Sequence, residues 1–122
     1  METLGKHERV QGILYPSLLE DGDQRRIYKK QCAGPGAIFS IELDGGRAAA
    51  FEFLRRLRIA RNAVSLGGME SLACHPATTT HSEVSPEAQL EMGISEGLVR
   101  ISVGLEDWRD LAEDFERALD AL

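Results

Sequence analysis

The stretch "LVRISVGLEDWRDLAEDFERALDAL", residues 98–122, changes its period halfway along. From Leu98 to Gly104 the side chains alternate, with Val99, Ile101 and Val103 on one side and Leu98, Arg100 and Ser102 on the other. A period of two is that of a strand with one buried face. Beyond it, Trp108, Leu111, Ala112, Phe115, Ala118, Leu119 and Leu122 recur at helical spacing. Asp107 and Asp110 stand where the positive end of the helix dipole favours acids. A strand therefore feeds an amphipathic helix, and an arginine stands on a sheet face.

Working outward, the same two periods recur upstream. "VQGILYP" (10–16) reads as an extended segment stopped by Pro16, and a polar helix is expected from about Asp21 to Gln31. "AIFSIEL" (37–43) sets Ala37, Phe39, Ile41 and Leu43 against Ile38, Ser40 and Glu42, a second strand, ended by Gly45-Gly46. Ala50, Phe53, Leu54 and Leu57 then follow at helical spacing with arginines opposite, predicting a helix over about 47–58. "SPEAQLEMG" offers Ser85 as an N-cap, Pro86 in the first turn and Gly93 as a stop, hence a short helix. Strands and helices mix without βαβ repetition, so the fold class expected is α+β, a small mainly antiparallel sheet with helices on one face. The stretch "AVSLGGMESLACHPATTTH" (63–81) shows no period and is expected to be a mobile connector or part of a binding site.

Composition narrows the function classes. The 122 residues suit one domain, large enough for a core without staples. With 14 basic and 20 acidic side chains the formal charge is −6, which disfavours nucleic acid and anionic lipid as partners. Cys32 and Cys74 lack C-x-x-C spacing, so neither a zinc ribbon nor a disulfide framework is expected, and a cytoplasmic location fits. The N-terminus has no apolar core of signal-peptide length, and nothing approaches the ~20 apolar residues of a membrane span.

Among single residues, Arg100 is the sharpest candidate. A strand arginine is most often solvated or paired with a neighbouring acid, yet its planar fork is also the side chain best suited to gripping a carboxylate. Ser65 precedes Leu66-Gly67-Gly68, where glycine lets backbone approach a ligand or makes a tight turn. His75 and His81, with Cys74 beside the first, match no zinc signature, so no metal is expected and both histidines read as hydrogen-bonded structural or site-lining groups. Thr78, Thr79 and Thr80 fit a β-run or a set of loop hydroxyls equally well.

"SLGGMESLACHPATTTH" followed by "GISEGLVRISVGLED", together with "HERVQGILYPSL" and "AGPGAIFSIELDGG", closely resembles the C-terminal domain of the Cys/Met-metabolism PLP-dependent enzymes. That family includes cystathionine γ-synthase, cystathionine γ-lyase and methionine γ-lyase. The resemblance covers nearly the whole chain. It implies the small α+β domain that follows a large cofactor-binding domain in the aspartate-aminotransferase (type I) fold, with residues 1–122 forming that single small domain and the large PLP-binding domain absent from the sequence. It further implies that Arg100 binds the substrate α-carboxylate, that Ser65 lies beside that carboxylate, and that Thr80 and His81 play a supporting part. In members that use cystathionine the residue before "SLGG" is commonly glutamate, whereas methionine γ-lyase resembles this chain in having valine there, so Val64 implies a methionine-like or O-acylhomoserine substrate.

The family's Schiff-base lysine belongs to the large domain, and Lys6, Lys29 and Lys30 fall in no matching motif. The expectation is a substrate-carboxylate-binding part of a PLP-dependent sulfur-amino-acid lyase or transsulfuration enzyme, inactive and without bound PLP by itself, and homo-oligomeric in the complete enzyme. A free-standing amino-acid-binding or regulatory module and an oligomerisation scaffold are the alternatives.

Overall fold

The computed structural model describes residues 3–122. Its elements run β1 (Val10–Leu14), α1 (Asp23–Gln31), β2 (Ile38–Leu43), α2 (Gly46–Arg56), β3 (Arg61–Asn62), β4 (Leu72–Cys74), α3 (Pro86–Glu91), β5 (Leu98–Ser102) and α4 (Trp108–Asp120), with short 3-10 turns between some of them. The strands form one sheet in the order β1-β2-β5-β4-β3. Every neighbouring pair is antiparallel except β3 with β4. The expected α+β class with a mainly antiparallel sheet therefore holds, and β5, the strand that opens the decisive stretch, lies at its centre.

Registry explains the core. Phe39 and Ala73 both sit opposite Ile101, and Ile41 opposite Val99, so these side chains share one face. Helices α2 and α4 cover that face with Ala50, Phe53, Leu111, Phe115, Ala118 and Leu119, all buried. The rings of Phe53 and Phe115 lie tilted, 6.3 Å apart between centroids. Burying a side chain of this size stabilises the fold by roughly 1.5–3 kcal/mol, so α2 and α4 are held by their stripes rather than by propensity. The caps follow the sequence signals: Ser85 Oγ accepts from Ala88 N–H at 3.3 Å, and Asp107 Oδ1 accepts from Arg109 N–H at 2.8 Å.

Four expectations need correction. The period-free stretch 63–81 is not simply a connector, because it contains β4, whose three residues are all buried between β5 and β3. Thr78 ends a 3-10 turn beginning at Pro76 and belongs to no β-run. Trp108 heads the apolar stripe of α4 yet is 68% exposed, its ring covered from one side by the Arg109 guanidinium at 4.7 Å. It occupies the first helical position, where the stripe has run past the edge of the core. Helix α2 also stops at Arg56, earlier than expected, because Leu57 turns to an extended conformation.

Candidate functional site

The face of the sheet away from α2 and α4 carries Arg100. Its register partners are Ser40 on β2 and Cys74 on β4. Cys74 is buried, so the guanidinium rises from a floor of small side chains. Its Nη2 donates to the Val64 carbonyl at 2.7 Å and more weakly to that of Ser65 at 3.4 Å. Among the described residues Arg100 forms no ion pair. The common fate of a strand arginine, pairing with a neighbouring acid, does not apply.

Three of the expected site residues thus meet: Arg100, Val64 and Ser65, far apart in sequence and joined through backbone carbonyls. Val64 is 54% exposed and Ser65 is exposed, so both side chains are open to a ligand above the sheet. Thr80 and His81 do not bond to this group. They bond to each other, Thr80 Oγ1 to His81 Nδ1 at 2.8 Å, and the His81 carbonyl accepts from Gln89 Nε2 at 2.7 Å. His75 is structural: it is buried, with Nδ1 at 2.9 Å from Thr78 Oγ1 and Nε2 at 2.9 Å from the Glu96 carbonyl oxygen. Among the described residues no group of three His, Cys, Asp or Glu side chains comes together as a metal site would require.

The segment under Val64 and Ser65 is anchored at several points, most of them by residues that sequence reasoning passed over. Ala63 N–H donates to the Ala73 carbonyl at 3.0 Å. Gly67, in the left-handed region at φ 74°, donates its N–H to Ser102 Oγ at 2.9 Å. Ser71, fully buried, donates both N–H (2.8 Å) and Oγ–H (2.7 Å) to the Glu106 carboxylate, and its Oγ accepts from Gly104 N–H at 2.8 Å. The Ser71 backbone N–H, above all, holds the Glu106 carboxyl below its usual range, against the opposing effect of burial. A side chain at Gly104 would bring its Cβ to 2.3 Å from the Met69 carbonyl oxygen, so only glycine lets this clasp close. Ser102 shares the face of Arg100 by simple alternation, a signal that was available. Ser71 and Glu106 lie in separate loops, just before β4 and between β5 and α4, and nothing in their spacing connects them.

Arranged in this way, the site can hold an anion. One guanidinium, partly anchored and without an acidic partner, faces solvent beside an exposed hydroxyl side chain and an apolar one.

Known proteins share both the sequence and the shape. The chain is 46% identical over 120 residues to L-methionine gamma-lyase of Pseudomonas putida, covering 98% of this chain and 30% of that one. It is 42% identical over 118 residues to cystathionine gamma-lyase of Mus musculus, covering 97% and 29%. The crystal structure of the cystathione gamma lyase from Micromonospora echinospora superposes with a TM-score of 0.89 at 43% identity, over 98% of this chain and 31% of that one. The chain therefore spans about 30% of the length of the curated relatives it matches. The family model that describes Cys/Met metabolism PLP-dependent enzymes matches residues 1–120, and with nearly the full chain accounted for at these identities, this protein belongs to that family.

Proposed function

We propose that this chain is the substrate-recognition part, the small C-terminal domain, of a PLP-dependent enzyme that cleaves or exchanges the γ-substituent of a sulfur amino acid, and that Arg100 grips the substrate α-carboxylate. The observation that carries the reading is the unpaired guanidinium: in a chain of net charge −6, Arg100 has no acidic partner among the described residues and spends one nitrogen on the Val64 carbonyl. That bond fixes the plane of the fork while leaving its other donors for a carboxylate. Fixing the carboxylate orients the α-carbon above it, and orientation is the chief contribution a protein makes to such chemistry. Ser65 would lie beside the carboxylate, Val64 would face the γ-substituent, and Thr80 with His81 would support the wall from further off.

The family is PLP-dependent. This chain's residues do not fit a complete cofactor site. Its three lysines are Lys6, in a 3-10 turn, and Lys29 with Lys30, exposed in the last turn of α1, and none contacts the Arg100 group. The cofactor-binding part is assigned to sequence outside these residues, and the complete enzyme is read as a homo-oligomer. Two free thiols, Cys32 exposed and Cys74 buried, suit a reducing cytoplasm. No helix among the described residues is long and apolar enough to cross a membrane.

The test replaces the matched region of the Pseudomonas putida methionine γ-lyase with this chain and compares it with its Arg100→Ala variant. Losing a charge-assisted pair should cost about 2.7 kcal/mol, a drop of ~100-fold in kcat/KM. Arg100→Lys should recover only part, since a point charge cannot reproduce the fork. Undiminished turnover by Arg100→Ala would refute the reading.

A further inference from the structure

We propose that the cavity beyond the C-terminal end of α2 is a second anion site, shaped for the diphosphate or triphosphate group of a small molecule. The cavity has a volume of about 740 Å³ and is lined by Arg55, Arg58, Arg61, Asn62, Phe51 and His75, among others. That size falls in the range of small-molecule sites. It lies on the helix side of the sheet, where the His75 ring meets Phe51 of α2 edge-on at 5.2 Å, whereas Arg100 stands on the opposite face. Neither Arg100, Val64 nor Ser65 lines it.

Charge is the first observation. The chain carries 20 acidic side chains against 14 basic ones, yet no aspartate or glutamate lines this cavity and three arginines do. Arg55 is paired with Glu52, which also holds Arg56 outside the cavity. Arg58 and Arg61 form no ion pair among the described residues. Two free guanidiniums and one half-neutralised one nearly match the charge of a diphosphate.

Rigidity is the second. The Arg58 N–H donates to the Asp114 carboxylate at 3.0 Å, and the Arg61 N–H donates to the Ser71 carbonyl at 2.9 Å as β3 joins β4. Both side chains therefore spring from fixed backbone with their forks uncommitted, the arrangement that loses least entropy on closing round a ligand. Each fork addresses one phosphate in bidentate fashion, so two forks call for two linked phosphates. Phe51, 47% exposed, supplies an apolar wall for an organic group attached to them. His75 is wall rather than ligand, since both its nitrogens are engaged.

Nucleotides and inorganic polyphosphates share this chemistry, and calorimetric titration of the 122-residue chain separates them. Pyrophosphate and ATP should each bind one equivalent, more weakly as salt is raised. Tighter binding of ATP assigns the site to a nucleotide, and equal binding to the phosphates alone. The double variant Arg58→Gln/Arg61→Gln should lose at least tenfold in affinity while Arg26→Gln, on α1 and outside the cavity, binds as the parent does. Should the double variant fail to give the parent's circular dichroism, each single variant should still lose at least threefold. Silence from both probes at millimolar concentration overturns the proposal. So does adenosine binding as tightly as ATP, or pyrophosphate and ATP affinity untouched by the folded Arg58 and Arg61 variants.

Discussion

Replacing Asp114 tests whether the turn that launches β3 is held by a single buried carboxylate. Asp114 sits in α4, 4% exposed, and its oxygens accept from the N–H groups of Arg58 (3.0 and 3.1 Å), Ile59 (2.9 Å) and, at the long end, Ala60 (3.4 Å), with Arg117 Nη2 as a further donor. These are consecutive amides just past the end of α2, and the chain there supplies them no other acceptor. Asp114→Ala removes the charge and orphans the Arg58 and Ile59 donors. Bonds to a charged group contribute about 1.5–3 kcal/mol each, and water entering the gap recovers part, so the expected loss is about 3–5 kcal/mol. Against a typical domain stability of roughly 5–15 kcal/mol that is a large fraction. Urea unfolding at pH 7, followed by far-ultraviolet circular dichroism, measures it. The pH dependence follows from the balance at the carboxyl. Burial pushes its pKa up, but the amides of Ile59 and Arg58, the Arg117 guanidinium and the Ala60 amide together outweigh it and hold the pKa below its ordinary 3.8. A depressed acid contributes fully above its unfolded value and loses the contribution as pH falls through the folded one. The gap between parent and Asp114→Asn should therefore stay constant from pH 7 to about 5 and close below 3.8. A cost under about 1 kcal/mol for Asp114→Ala, or a gap that persists undiminished into strong acid, would show that the turn holds itself.

Three further outcomes are expected. Arg100→Ala should leave the urea midpoint of this chain nearly unchanged, because the side chain bonds only to the Val64 and Ser65 carbonyls; a large drop would make Arg100 a structural residue. In the chimeric enzyme methionine should be turned over faster than cystathionine, because Val64 offers the distal ammonium of cystathionine no charge partner, and Val64→Glu should narrow or reverse the ranking; faster cystathionine turnover by the parent chimera would contradict the specificity reading. Mixed with PLP, treated with borohydride and analysed by peptide mass spectrometry, this chain should show only scattered partial labelling over Lys6, Lys29 and Lys30, and a stoichiometric adduct at one of them would refute the assignment of the cofactor site elsewhere.

What the sequence disclosed and what it withheld divide along a physical line. β2, α2 and α4 each present one face to the core and one to solvent, and β5 keeps an alternation of apolar with polar side chains although Arg100 alone on it escapes burial, so their periods were written in the residues and the face of Arg100 could be assigned by counting. β4 could not be found that way. Leu72, Ala73 and Cys74 are buried on both sides of the sheet, and a strand with no exposed face has no alternation to read. β3 is the opposite case, two exposed residues, Arg61 and Asn62, defined only by their pairing with β4. The site fails to announce itself for a related reason: the bonds from Arg100 to Val64 and from Ser102 to Gly67 cross from β5 to a segment about 35 residues earlier, and local spacing carries no trace of them. The resemblance supplied that link where periodicity could not. The arginines of 55–61 show the converse error. Arg55, Arg56 and Arg58 are read as the face of a helix running to about 58 that lies opposite its apolar stripe, and Arg61 falls beyond that helix. Because Leu57 leaves the helix at ψ 138°, Arg58 and Arg61 instead belong to the turn and to β3, tied down by Asp114 and Ser71, and are carried round to line a cavity with Arg55. A helix boundary displaced by two residues thus separates a solvated face from a candidate site, and what displaces it is the buried carboxylate of Asp114, 55 or so positions further along the chain.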